Sequence, residues 1–321
     1  MRRIWKRALL MIASALALSS FTPAPTRAEE ALRTALVLVP HEDDETLAFA
    51  GSIKNHLDSG DRVIIGILTN GDYEGGRAMG EKRIGESFRA MTQLGVPAED
   101  IYFFGYGDTG WRRRGLINPS FLAKLFYSEQ EDRVYRSKVG RETYGNTSLG
   151  IQTLHRRFFG SEALYTKRNL LLDMAALLER TRPDFIYTTA SADFHWDHKT
   201  AESICDAAIR GRRAEDPSYH PVLRSSIIHA VDAQGRQDNA WPLAYTDDEA
   251  LLPFTVPGDL AGQSGLVWEE RSVVQLPEDM LIRPRTANLK RQLIQIYESQ
   301  LSCIYMENFV RSDEFYWEQS Y

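Results

Sequence analysis

The chain of 321 residues is 43% hydrophobic and 26% charged, a balance that excludes a largely disordered or fibrous protein. Asp and Glu (44) outnumber Lys and Arg (38), so the basic footprint of a nucleic-acid or anionic-lipid binder is missing. Two cysteines, Cys205 and Cys303, make no disulfide framework; both sit in apolar helical patterns, compatible with one pair or with two buried thiols.

The first 28 residues read as a signal peptide: "MRRIWKR" is basic, "ALLMIASALAL" is apolar, and "TPAPTRA" ends in a small residue before "EE". The apolar run breaks at Ser19 and Ser20, short of the ~20 residues a membrane span needs, so no stable insertion is expected after cleavage at Ala28. Removing this segment leaves 33 basic against 44 acidic residues, a formal charge of −11. An exported protein, periplasmic or extracellular, is expected, with residues 29–321 forming a single domain.

In that domain strand-like and helix-like patterns alternate. "TALVLVP" is a buried strand followed by apolar periodicity from Glu45 to Leu57. "DRVIIGILTNGD" is a second strand, and "GEKRIGESFRAMTQLGV" a helix ending at Gly95. "DIYFFGYGD" is the third strand. Residues 110–165 lack a regular period and read as an insertion at the rim. "KRNLLLDMAALLERTRPD" predicts a helix ending before Pro183, "FIYTTA" a fourth strand, and "HKTAESICDAAIRGRR" a further helix. "VLRSSIIHAVD" is the fifth strand, residues 233–265 a second insertion, and "RTANLKRQLIQIYESQLSCIY" a late helix. The alternation predicts an α/β fold: an open, mostly parallel, Rossmann-like sheet with helices on both faces.

Open α/β sheets bind ligands at the carboxyl ends of their strands, where strand order reverses. "PHEDDE" follows the first strand and "SADFHWDH" the fourth, placing His41, Asp43, Asp44, His195, Asp197 and His198 along that edge. These imidazoles and carboxylates suffice for a catalytic zinc with an open position, and a divalent cation would offset the repulsion among Glu42, Asp43, Asp44 and Glu45. The bland reading of one acidic run is a solvated loop or helix cap; two clusters at corresponding strand ends favour function. His56, His155, His220 and His229 lack such context and read as surface or structural. Gly71, Gly75 and Gly76 read as turn glycines.

On these residues the chain resembles the PIG-L/LmbE-like N-deacetylases, zinc amidohydrolases that remove acetyl from N-acetylglucosamine-containing substrates. The family's His-Pro-Asp-Asp-Glu motif is matched by His41, Asp43, Asp44 and Glu45, with Glu42 in place of the proline. Its His-x-Asp-His motif is matched by His195, Asp197 and His198. "RIGESFRAMTQLGV" resembles the family's Arg-x-x-Glu helix, and "GYGDTG" around Asp108 is also similar. The resemblance implies one Zn²⁺, or another divalent cation, on His41, Asp44 and His198. It implies Asp43 as general base, His195 assisting charge stabilisation or proton transfer, and Asp197 orienting it. Arg83 and Asp108 are candidate substrate contacts; their bland readings are pairing with Glu81 or Glu86 along the helix, and capping of the "GDTG" turn. The expected substrate is an N-acetylated sugar or glycan, with Trp111, Tyr127, Tyr135 and Tyr144 as a candidate stacking wall. Two rivals are a catalytically inactive glycan-binding protein of the same fold and a mononuclear Fe(II) enzyme. Retention of Asp43 and His195 argues against the first, and the β/α alternation against the second.

Overall fold

The computed structural model describes residues 32–108, 120–244, 251–283, 285–301 and 304–321. Its strands are β1 (Thr34–Val39), β2 (Arg62–Thr69), β3 (Ile101–Tyr106), β4 (Phe185–Thr189), β5 (Val222–Ser226), β6 (Ser272–Gln275) and β7 (Asp313–Ser320). They form one sheet in the order β3-β2-β1-β4-β5-β7-β6. The first five pair in parallel, and β7 runs antiparallel to both β5 and β6.

The apolar runs form central strands because both of their faces are covered. Ala35, Val37 and Val39 enter one hydrophobic cluster while Leu36 and Leu38 enter the other, and β2 and β3 alternate likewise. The helices are α1 (Asp44–Asp58), α2 (Gly76–Leu94), α3 (Phe121–Phe126), α4 (Leu154–Phe159), α5 (Lys167–Thr181), α6 (Trp196–Glu215), α7 (Leu260–Ser264), α8 (Glu278–Leu281) and α9 (Leu289–Ile294). Through Phe49, Met91 and Leu293, α1, α2 and α9 cover the first face. Leu125, Leu154, Met174 and Ile204 bring α3 to α6 onto the second. Gly95 ends α2 with φ 110, and α5 stops just before Pro183, as the sequence predicts.

Two expectations need correction. The late helix is only α9: past Gln295 the Ser299 amide donates to Glu86 instead of continuing the helical ladder, and the Tyr297 hydroxyl is held by Glu45. The fifth strand ends at Ser226, because the amides of Ile228 and His229 turn onto the Asp193 carboxylate. The first insertion contains α3 and α4. The antiparallel β6–β7 edge was not foreseen; Glu314 of β7 joins it to α1 by accepting from the Gly51 and Ser52 amides and from buried Lys290.

No described helix is long and apolar enough to cross a membrane. Cys205 is a buried free thiol in α6; Cys303 lies outside the described residues, as does the proposed signal peptide. The chain leaves β1 toward β2 and leaves β4 toward β5, in opposite directions along the sheet, so a crevice opens between their adjacent carboxyl ends.

Candidate metal centre

Both motifs meet in that crevice. Pro40 carbonyl accepts from the Thr69 amide and hydroxyl, extending the β1–β2 pairing to the base of the "HEDDE" turn. Asp43 then adopts φ 130 and ψ −32, a conformation costly for a non-glycine residue, and α1 starts at Asp44. Glu45 compensates: Oε2 accepts the Asp43 amide at 3.0 Å, while Oε1 accepts Ser87 Oγ at 2.6 Å and Tyr297 Oη at 2.7 Å. The Asp43 side chain does not cap its helix.

His41 Nδ1, Asp44 Oδ2 and His198 Nε2 converge. Nδ1 stands 3.3 Å from Asp44 Oδ2 and 3.3 Å from His198 Nε2, which is 3.4 Å from Asp44 Oδ2. Ligands at about 2.0–2.1 Å from a tetrahedral zinc are separated by about 3.3–3.4 Å, so these spacings match the edges of such a site. The tautomers agree. His198 Nδ1 lies 3.1 Å from Asp193 Oδ2, and His41 Nε2 lies 3.2 Å from Asp108 Oδ1 and 3.4 Å from Asp197 Oδ2. Those outer carboxylates hold the ring protons on the outer nitrogens and turn both inner lone pairs toward the Asp44 carboxylate.

The electrostatics also call for positive charge at this point. Burial alone lowers both imidazoles, but Asp108 acting on His41, and Asp193 with Asp44 acting on His198, raise them overall. Asp44 is lowered, because the two histidines outweigh its burial. The residues present therefore fit a divalent cation. His41, His195 and His198 also come within 4.8 Å of one another, as do His41, Asp108 and Asp197. We favour the set with Asp44, since its three separations match the edges of a tetrahedral site and since His195 Nδ1 accepts the Asp197 amide at 3.3 Å as the N-cap of α6.

Asp43 is buried beside this set, 3.6 Å from an Arg83 nitrogen. Burial, with Asp44 and Glu45 adding to it against Arg83, pushes its carboxyl up to about 8. His195 is pushed down to about 3, by burial first and then by His41, and stays neutral. With Nδ1 accepting, its proton rests on Nε2.

Other predicted residues take places that spacing did not reveal. Arg83 is buried under the turn, donating to the Glu42 carbonyl at 2.8 Å and facing the Glu42 carboxylate at 3.4 Å, so it braces the loop. Its helical neighbours pair elsewhere, Glu81 with Arg77 and Glu86 with Ser299. Asp108 sits on His41. The Asp197 carboxylate is nearer His41, at 3.4 Å, than His195 Nδ1, at 3.8 Å, so Asp197 meets His195 mainly through its amide. Glu42 is fully buried without a hydrogen-bond partner for either oxygen, and burial raises its pKa well above the usual carboxylate range.

The aromatic residues form no single wall among the described residues. Tyr144 is buried against Asp72, Tyr127 is exposed beside Ser203, and Tyr135 donates to Ser128; Trp111 lies outside the described residues. His56, His155 and His220 bond Asp61, Asp173 and the Tyr321 carbonyl, consistent with structural roles. His229 is the exception. It is buried with its ring 4.9 Å from that of His198, and its place just past β5, on the same sheet edge, was the signal that could have found it. Asp193 was also missed, though it lies only two residues before His195. It accepts from the amides of His195, Ile228 and His229 as well as from His198.

A Rossmann-like sheet gathering two imidazoles and a carboxylate at its switch point, with a second acid alongside, defines an LmbE-like α/β protein with a candidate divalent-cation centre. The family described as "PIG-L: GlcNAc-PI de-N-acetylase" matches residues 36–209, and the chain belongs to that family. Among curated proteins nothing matches the sequence. Similar solved structures include the 4-carboxy-2-hydroxymuconate hydratase GalB from Pseudomonas putida KT2440, 16% identical, with 90% of this chain and 96% of that one covered and a TM-score of 0.47. The zinc-inhibited form of teicoplanin deacetylase Orf2 is 13% identical, with coverage of 89% and 97% and a TM-score of 0.47. N,N'-diacetylchitobiose deacetylase from Pyrococcus horikoshii is 13% identical, with coverage of 89% and 84% and a TM-score of 0.44. Likeness at this level assigns no reaction.

Proposed function

We propose that the protein is an exported, zinc-dependent N-deacetylase that hydrolyses the acetamide of an N-acetylhexosamine in a glycan or glycoconjugate. The observation that carries this reading is the convergence of His41 Nδ1, Asp44 Oδ2 and His198 Nε2 at 3.3–3.4 Å with a second buried acid, Asp43, beside them. A divalent cation held there supplies Lewis-acid polarisation of the acetamide carbonyl and makes water a better nucleophile at neutral pH.

The chain's own residues supply the rest. Asp43, fixed by the Glu45 bond to its backbone, accepts a proton from the attacking water, because the charge of a bound cation beside it would return the carboxyl to its ionised form. His195, neutral and carrying its proton on Nε2, donates toward charge developing on the carbonyl oxygen or toward the departing amine. Asp193, Asp108 and Asp197 keep the imidazoles in the tautomers the site requires. Family membership supports the choice of an N-acetylated sugar, and the leader-like first 28 residues support export.

The test combines metal analysis with acetate release from a panel of acetylated glycans and simple amides. Release from N-acetylhexosamine substrates that is abolished by chelation and restored by Zn²⁺ is expected. A metal-replete protein that frees no acetate across the panel overturns the assignment. Amino-terminal sequencing of the native protein should begin near Glu29, and retention of "MRRIWKR" refutes export by this leader.

A further inference from the structure

The first insertion reaches the candidate metal centre through Tyr144. This side chain is buried, and its hydroxyl donates to Asp72 Oδ2 at 2.9 Å. Asp72, buried past the end of β2, accepts the Asp108 amide on Oδ1 at 3.0 Å. Asp108 Oδ1 in turn lies 3.2 Å from His41 Nε2. Three successive contacts thus connect one insertion hydroxyl to an imidazole of the cation site.

The seat of Tyr144 is built from several elements. A Cβ at Gly80 of α2 would stand 2.3 Å from the Tyr144 hydroxyl, so only glycine leaves it room. A Cβ at Gly105, where φ is +84, would stand 2.8 Å from the Tyr144 carbonyl oxygen. The same carbonyl accepts Asn70 Nδ2 at 2.9 Å, and the Arg77 guanidinium lies 4.5 Å from the ring centroid. Water has little access to these links, so each partner's position depends on the one behind it.

We propose that Tyr144 is a positioning residue for the cation site: through Asp72 it fixes the Asp108 backbone, and so holds His41 in the orientation and tautomer that present Nδ1. The inference rests on the reading of His41, Asp44 and His198 as that site. It also gives the insertion a role in the chemistry that its irregular sequence does not advertise.

Cobalt(II) is the probe. The full-length apoprotein is titrated with it, its visible absorption band is recorded, and affinity is measured by chelator competition on protein with native circular dichroism. Replacing a direct outer partner of a metal-ligating histidine typically costs 10–100-fold in affinity, so Asp108→Asn should fall by roughly that factor and Tyr144→Phe, one step further out, by roughly 3–10-fold. Tyr144→Phe should also shift the cobalt band. Gly80→Ala should reproduce both effects, and combining it with Tyr144→Phe should cost less than the two changes added, because the hydroxyl it displaces is already gone. Wild-type affinity and an unshifted band in Tyr144→Phe, alongside a weakened Asp108→Asn, overturn the role of Tyr144 and leave the cation site standing. Undiminished cobalt binding by Asp44→Ala overturns the cation site itself, and this inference with it.

Discussion

Replacing Asp193 with Asn tests how the second motif is held together. One carboxylate oxygen accepts the His195 amide at 2.8 Å; the other accepts the Ile228 amide at 2.8 Å, the His229 amide at 2.9 Å and His198 Nδ1 at 3.1 Å. An amide side chain of the same shape keeps its oxygen toward the three donors and turns its NH2 toward the His195 amide, setting two donors face to face. The loss of one buried bond and of the charge behind the others destabilises by about 2–4 kcal/mol. Metal affinity should fall by roughly 10–100-fold as His198 loses its anionic partner.

The pH dependence has a definite sign. Burial alone would raise Asp193, but the charge and hydrogen bond of His198, then His229, lower it below the ordinary value. A carboxylate lowered on folding contributes stability that is fully present above its unfolded pKa of about 3.9 and is lost as pH falls through the folded value. Because losing Asp193 also lowers His198, which Asp193 helps hold above its ordinary value, urea unfolding of the apoproteins should show a gap between wild type and Asp193→Asn that grows as pH falls from neutral to about 5 and closes below about 3.9. Equal stability and equal metal affinity at pH 7, or a gap that keeps widening below about 3.9, refutes the reasoning.

Asp43→Asn should lower kcat by roughly 10²–10⁴-fold while metal content changes little, since the amide cannot take a proton and Asn tolerates positive φ better than most residues. Steady-state kinetics with metal analysis checks this, and loss of the metal would make Asp43 a ligand. His41→Ala, Asp44→Ala and His198→Ala should each deplete bound zinc with native circular dichroism retained; full occupancy in all three removes the ligand assignment. Burial pushes the Cys205 thiol up to about 12, so native protein should resist alkylation there at pH 8 and react only when unfolded. Peptide mass spectrometry that found Cys205 rapidly labelled in the native state would contradict its placement.

The sequence by itself determined the parallel core and the edge where chemistry belongs. The apolar runs of β1 to β4 and the periodic helices between them are local signals, each legible in a short window. Placing charged clusters after the first and fourth strands needed only the rule that open sheets bind ligands at their carboxyl ends. That rule brought His41, Asp43, Asp44, His195, Asp197 and His198 to one edge, and the family resemblance singled out His41, Asp44 and His198 among them, although the first and last are 157 residues apart. Tertiary structure alone decided what surrounds them. His229 reaches the site because β5 stops short and the chain turns back onto Asp193, which no periodicity encodes. Arg83 braces the turn because α2 packs with its guanidinium beneath Glu42, although helical spacing offered Glu81 and Glu86 equally well. The late helix breaks where the buried Glu86 carboxylate takes the Ser299 amide, a competition settled by a residue more than 200 positions away. Local patterning fixes which elements form and where their ends lie, whereas the partners of a buried polar group depend on what the whole chain brings against it.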